Sequence, residues 1–145
     1  MKTEKLIIYT DGGCEPNPGR GAWAYMAINE WGHKETEEVG YEEFTTNNKM
    51  ELEAISRSLS YAKDMGIKNV KIKSDSQYAI NSLTIWGYKW EKNDYKGKKN
   101  VDIIKDIRRM LKSLNAEFEW VRGHDGDIFN EYVDGLCSYE IRKNA

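Results

Sequence analysis

The run KLIIYT, Lys5 to Thr10, is apolar and β-branched with little polar relief, which predicts a strand buried on both faces. GAWAYMAINEW alternates loosely and predicts a second strand, and the polar HKETEEVGYEEF a third, exposed one. Gly/Pro-rich chemistry over 12–21, and then EWGHK, separates the three. Sequential strands joined this way predict an antiparallel meander. Over TTNNKMELEAISRSLSYAKDMG the period becomes helical, with Leu52, Ile55, Leu59 and Ala62 on one face. Thr46, Asn47 or Asn48 can cap that helix, Glu51 falls in its first turn, and Gly66 can close it. NVKIKSD alternates again as a fourth strand. SQYAINSLTIWGYKW predicts a helix up to about Trp86, followed by an irregular segment rich in Lys and aromatics to Lys99. Val101, Ile104, Ile107, Leu111 and Leu114 repeat at helical spacing, and AEFEWV predicts a fifth strand. RGHDGD is a loop, and NEYVDGLCSYEIRKN a last helix with Val133, Leu136, Cys137 and Ile141 on one side.

This order predicts an α/β fold. Its five-stranded mixed sheet combines a three-strand antiparallel meander with two parallel strands, and helices cover both faces. The 145 residues fit one domain spanning 1–145, with no internal repeat, linker or low-complexity stretch. With 39% hydrophobic and 32% charged residues, the composition is that of a soluble globular protein. No apolar run approaches the roughly 20 residues a bilayer span needs. The start lacks a signal peptide's apolar region, so a cytoplasmic location is expected. Cys14 and Cys137 are far apart and outside any CxxC spacing, which favours free thiols.

A net charge of −2 argues mildly against a nucleic-acid partner. The charge is polarised, however. Glu35, Glu37, Glu38, Glu42 and Glu43 crowd one segment, and Lys89, Lys92, Lys96, Lys98 and Lys99 another.

Two predicted strands run into an aspartate, Asp11 and Asp75, and in open α/β sheets sites gather at strand ends. Glu51 and Asp134, on two helices, are further candidates. Each has a plain alternative: turn chemistry for the aspartates at strand ends, complementing of the helix dipole for Glu51, a solvated helix position for Asp134. Taken together they point to metal, because clustered carboxylates repel one another unless they share cations. Oxygen-only ligands suit Mg²⁺. Two such ions roughly 4 Å apart can hold the attacking and leaving oxygens of an in-line phosphoryl displacement. No HExxH, GxSxG or GxxxxGK[ST] is present. The run from Asp125 to Asp134 has Asn130 where a calcium loop needs glycine.

YTDGGCEPNPGRG, TTNNKMELEAI, SDSQYAIN, KNVDI and EWVRGHDGDIFNEYVD, in this order and over nearly the whole chain, resemble the type 1 ribonuclease H family of bacteria and eukaryotes. The resemblance implies cleavage of the RNA strand of RNA–DNA hybrids with two Mg²⁺ ions, Mn²⁺ being a substitute, to leave 3′-hydroxyl and 5′-phosphate ends. It implies that Asp11, Glu51, Asp75 and Asp134 bind metal, that His124 is a mobile catalytic histidine, and that Glu131 assists product release.

Gly12, Cys14, Asn17, Asn48 and Gln77 match the family's minor-groove contacts, where a 2′-hydroxyl is read. Asn47 matches a contact on the DNA side, and Thr46 and Asn100 the phosphate pocket for the DNA strand. Capping of the helix by the TTNN run is compatible with those roles. Trp86 to Lys99 resembles the family's basic protrusion, with Trp86 its foremost contact candidate; the aromatics there can equally be core and the lysines solvated.

Three departures stand out. The protrusion is short, Glu91 and Asp94 dilute its charge, and Phe44 stands where some members carry a basic phosphate contact. They bear on tight hybrid binding, not on catalysis. The matching motifs begin at Asp11, so no separate N-terminal hybrid-binding domain, and none of the processivity it lends, is expected. A monomer is expected. The alternatives are a non-catalytic hybrid-binding module, which would have lost a carboxylate, or another nuclease of the same superfamily, which would lack the TNN…ME and GH…NE…D spacings.

Overall fold

A computed structural model describes residues 2–123 and 127–145 of the chain. His124, Asp125 and Gly126 lie outside the described residues. The elements run β1 (Lys5–Cys14), β2 (Gly19–Asn29), β3 (Lys34–Thr45), α1 (Asn47–Asp64), β4 (Asn69–Ser74), α2 (Gln77–Leu83), α3 (Ile85–Glu91), α4 (Val101–Leu111), β5 (Asn115–Trp120) and α5 (Ile128–Lys143).

The strands form one five-stranded sheet in the order β3-β2-β1-β4-β5. The pairs β1–β2 and β2–β3 are antiparallel, and β1–β4 and β4–β5 are parallel. β1 is therefore central, and the apolar run at its start has two faces to fill. Leu6 and Ile8 join Leu52, Ile55, Leu59, Ile72, Ile104 and Ile107 in a core beneath α1 and α4. Tyr9 joins Ala22, Ala24, Met26, Val133, Cys137 and Ile141 in a second core beneath α5. Each fully buried Leu or Ile contributes about 1.5–3 kcal/mol of transfer free energy. The two cores hold α1 and α5 on opposite faces of β1, and that geometry delivers their carboxylates to one place.

Three local expectations are corrected. Asp11 does not end a strand: β1 continues to Cys14, still paired with β2 through Cys14↔Gly21. Glu51 is not in the first helical turn. Thr46 caps α1 by accepting from Lys49 N at 3.2 Å, which makes Glu51 the fifth helical residue. Dipole complementation at the first turn therefore does not explain this acid. Finally, the helix after Asp75 breaks at Thr84 and resumes as α3, so Tyr88 and Trp90 are helical rather than irregular. Thr84 leaves helical dihedrals while its hydroxyl donates to the Ile80 carbonyl at 2.7 Å, closing α2 without ending the helical run.

Candidate active site

The site lies where β1 parts from β4. Their parallel pairing ends at Tyr9↔Lys73, whereas β1–β2 pairing runs on, so Asp11 stands two residues past the split. Asp75 is the first residue after β4 and faces the same opening. Its stem is pinned from three directions. Val121 N donates to Ser74 O at 2.9 Å, Ser76 N donates to Ser74 Oγ at 3.0 Å, and the Trp120 indole Nε1 donates to Asp75 O at 3.1 Å. Gly123 closes over the carboxylate: a Cβ at this position would lie 3.0 Å from Asp75 Oδ2.

Gly12 brings in the third acid. A Cβ there would sit 2.3 Å from the Met50 carbonyl carbon and 2.4 Å from Glu51 N, so only glycine lets β1 approach the α1 backbone this closely. The approach places Glu51 beside Asp11. From the other face, Val133 and Cys137 anchor α5 in the second core, and the Cys137 thiol lies 3.5 Å from the Asp11 carbonyl. Asp134, between them on α5, comes near enough to the Asp11 side chain to help raise its pKa.

Carboxylate oxygens of Asp11, Glu51 and Asp75 all lie within 4.8 Å of one another. Asp11 is 4% and Glu51 8% exposed. Burial, followed by the charge of Asp75 and a hydrogen bond with Asp134, pushes the Asp11 carboxyl up to about 8. Burial, and then the charges of Asp11 and Asp75, push Glu51 well above the carboxylate range, against a backbone hydrogen bond from Gly12. Glu51 Oε2 is buried without a hydrogen-bond partner among the described residues. Burying an unpaired acceptor is costly, as is gathering like charges. A hard, oxygen-seeking divalent cation would relieve both costs at once. The residues present therefore fit a metal site.

A sequence model of the RNase H family matches residues 3–142. A Campylobacter jejuni protein named Ribonuclease H is 41% identical over 97% of this chain and 93% of its own length. The chain belongs to the ribonuclease H family. Two solved ribonucleases H share its fold. LC9-RNase H1 is 22% identical with a TM-score of 0.86, over 100% of this chain and 75% of that one. LC11-RNase H1, solved in complex with an RNA/DNA hybrid, is 24% identical with a TM-score of 0.74, over 96% and 98%. The carboxylate cluster just described therefore sits within a ribonuclease H fold.

The residues expected to meet substrate come from several elements of this ribonuclease H fold. Near α1, the Asn17 side chain accepts from Asn47 N at 3.1 Å, tying the 15–18 loop to the helix start. The Cys14 thiol lies 3.2 Å from the Thr45, Pro16 and Gly19 carbonyls, which fixes the turn on that side. Thr46, Asn47 and Asn48 are exposed there, and Gln77 is exposed at the start of α2. Asn100 precedes α4 in a left-handed conformation with φ of 58°, and its amide donates to Tyr78 OH at 3.1 Å. Between α1 and α4 lies a groove of about 610 Å³ that reaches Lys49, Ser56, Lys98 and Asn100. Trp86 is 41% exposed on α3, 5.9 Å from Trp90 between ring centroids. Glu131 is exposed in the first turn of α5. Phe44, 74% exposed at the end of β3, offers an apolar surface beside Thr46. Sequence patterns did not single out Trp120, Gly123 or Ser74 as supports of Asp75. The Trp120 contact carries no signal in sequence because it arises only when β5 lies beside β4, whereas the Ser74 hydroxyl meets Ser76 N only two residues on.

Proposed function

We propose that this protein is a metal-dependent endoribonuclease that hydrolyses the RNA strand of RNA–DNA hybrids and leaves 3′-hydroxyl and 5′-phosphate ends. The observation that carries this reading is the Asp11, Glu51 and Asp75 trio within 4.8 Å in a ribonuclease H fold. A hybrid bound to the structurally similar LC11-RNase H1 supports the substrate class.

Asp11, Glu51, Asp75 and Asp134 are the proposed ligands, with Mg²⁺ the preferred ion and Mn²⁺ a substitute. When bound, such ions activate an attacking water and stabilise charge on the leaving 3′-oxygen. The chain's own part is to hold the carboxylates rigidly in place and release the protons that burial keeps on Asp11 and Glu51. His124 is the proposed proton carrier, and Glu131 assists product release. Gly12, Cys14, Asn17, Asn48 and Gln77 are the proposed minor-groove readers, with Asn47 on its DNA side. Thr46 and Asn100 take a phosphate of the DNA strand, and Trp86 meets the hybrid farther along. We take the enzyme to be monomeric and cytoplasmic, which light scattering and fractionation test.

The deciding assay presents an end-labelled RNA–DNA hybrid, a DNA duplex and an RNA duplex with Mg²⁺, Mn²⁺ or chelator. Internal cuts in the RNA strand of the hybrid alone, dependent on metal, are expected. Cleavage of the DNA duplex, or undiminished cleavage under chelation, overturns the reading.

A further inference from the structure

Glu91 and Asp94 are the two acids inside the basic segment, and both are engaged by α4. Arg108 Nη1 lies 3.5 Å from Glu91 Oε1, and Lys105 Nζ 3.8 Å from Asp94 Oδ1. The stronger contact is between them. Tyr95 is only 5% exposed despite its lysine-rich surroundings, and its hydroxyl accepts from Arg108 Nη1 at 2.6 Å. Lys105 Nζ stands 5.3 Å over the Tyr95 ring. The Arg108 side chain is 17% exposed, and α3 packs on it at Gly87, where a Cβ would come within 3.0 Å of Arg108 Cδ and Nε. One side chain of α4 thus holds both ends of the protrusion, Gly87 on the outward path and Tyr95 on the return.

The same helix begins next to Asn100, which is tied to α2 through Tyr78. Eight residues separate Asn100 from Arg108, about 12 Å of rigid helix. We propose that Arg108 and Tyr95 form a clasp that fixes the basic protrusion relative to Asn100, so that Arg108 is a positioning residue for hybrid binding. The inference rests on the substrate reading above and adds to it how the two contact regions are held in register. Duplex phosphates have fixed spacing, and a protrusion already docked loses less conformational freedom on binding. The clasp also gives the acids a use. The charge of Glu91 is met by Arg108 of α4, which leaves lysines such as Lys89 and Lys96 to act on phosphate.

The test uses Tyr95→Phe, Arg108→Lys and the double variant in the full chain, since each conserves most of the packing. Steady-state cleavage of the hybrid, hybrid affinity by fluorescence anisotropy under chelation, and amide hydrogen exchange over residues 85–99 are measured together. Loss of the charge-assisted hydrogen bond is expected to raise KM and Kd about tenfold, with kcat unchanged and exchange over 85–99 accelerated. The double variant should be no worse than the weaker single variant, because both remove one interaction. Unchanged exchange, faster exchange with unmoved KM, or a fall in kcat at constant KM each overturns the clasp. A wild-type protein that ignores the hybrid overturns the substrate reading and the inference with it, whereas a cleaving wild type with unmoved variants overturns the inference alone.

Discussion

Asp11 carries a conflict between burial and charge, and the conflict has a sign. Its folded pKa, about 8, lies far above its ordinary 3.8, so the folded state holds a proton that the unfolded state releases. The stability this proton confers is full below about pH 4 and is lost as pH rises towards 8. Glu51, also raised, adds in the same direction. Glu37 and Glu119, held below the usual range by hydrogen bonds from Lys34 and Lys71, give the opposite slope, but only in acid. The metal-free melting temperature should therefore fall between pH 5 and 8, and Asp11→Asn should lessen that fall, as read by differential scanning fluorimetry. Mg²⁺ should raise the melting temperature more at pH 8 than at pH 6, because loading displaces protons. At Asp75, replacement by Asn keeps the size and removes the charge. Hybrid cleavage should drop by more than about 100-fold while hybrid binding persists; full activity in that variant would remove Asp75 from the metal site.

Elements meet at the site through contacts with no slack. β1 touches the α1 backbone at Gly12, so Gly12→Ala must push Met50 and Glu51 away from Asp11. Overpacking of this kind costs about 1–3 kcal/mol, to be read from urea unfolding, and cleavage should fall further than the stability loss explains. β5 supports β4 through the Trp120 indole on the Asp75 carbonyl. Trp120→Phe keeps a ring and removes the donor, for a cost of about 1 kcal/mol. Its distinguishing readout is a higher Mg²⁺ midpoint with unchanged hybrid KM. The break at Thr84 shows how one side chain, bonding back to Ile80, splits a helical run into α2 and α3 and so redirects the chain towards the protrusion.

Over the whole molecule, a net charge of −2 conceals an acidic β3, with Glu35, Glu37, Glu38, Glu42 and Glu43, and a lysine-rich protrusion. Such polarity steers an anionic duplex towards the end of the molecule bearing the protrusion. Hybrid affinity should consequently fall with salt. Replacing Lys89 and Lys92 together with Gln should reduce the log–log salt slope by about two with kcat unchanged. An unaltered slope would mean that these lysines do not meet phosphate.

Periodicity and turn chemistry were enough to determine the five strands, their mixed arrangement and the long helices, because alternation and helical spacing are local consequences of which face is buried. The family motifs were equally legible, since they reside in residue identities and short spacings, and so were the three acids that the fold brings together, Asp11, Glu51 and Asp75. Tertiary structure decided what those acids do to one another. Asp11 became an inner residue of β1 because pairing with β2 outlasts pairing with β4, and Glu51 moved out of the first turn because Thr46, not a later residue, caps α1. The raised carboxyls, the approach at Gly12, the indole behind Asp75 and the Arg108–Tyr95 hydrogen bond all join residues distant in sequence. Their energies depend on separation and burial, quantities that exist only once the chain has closed on itself.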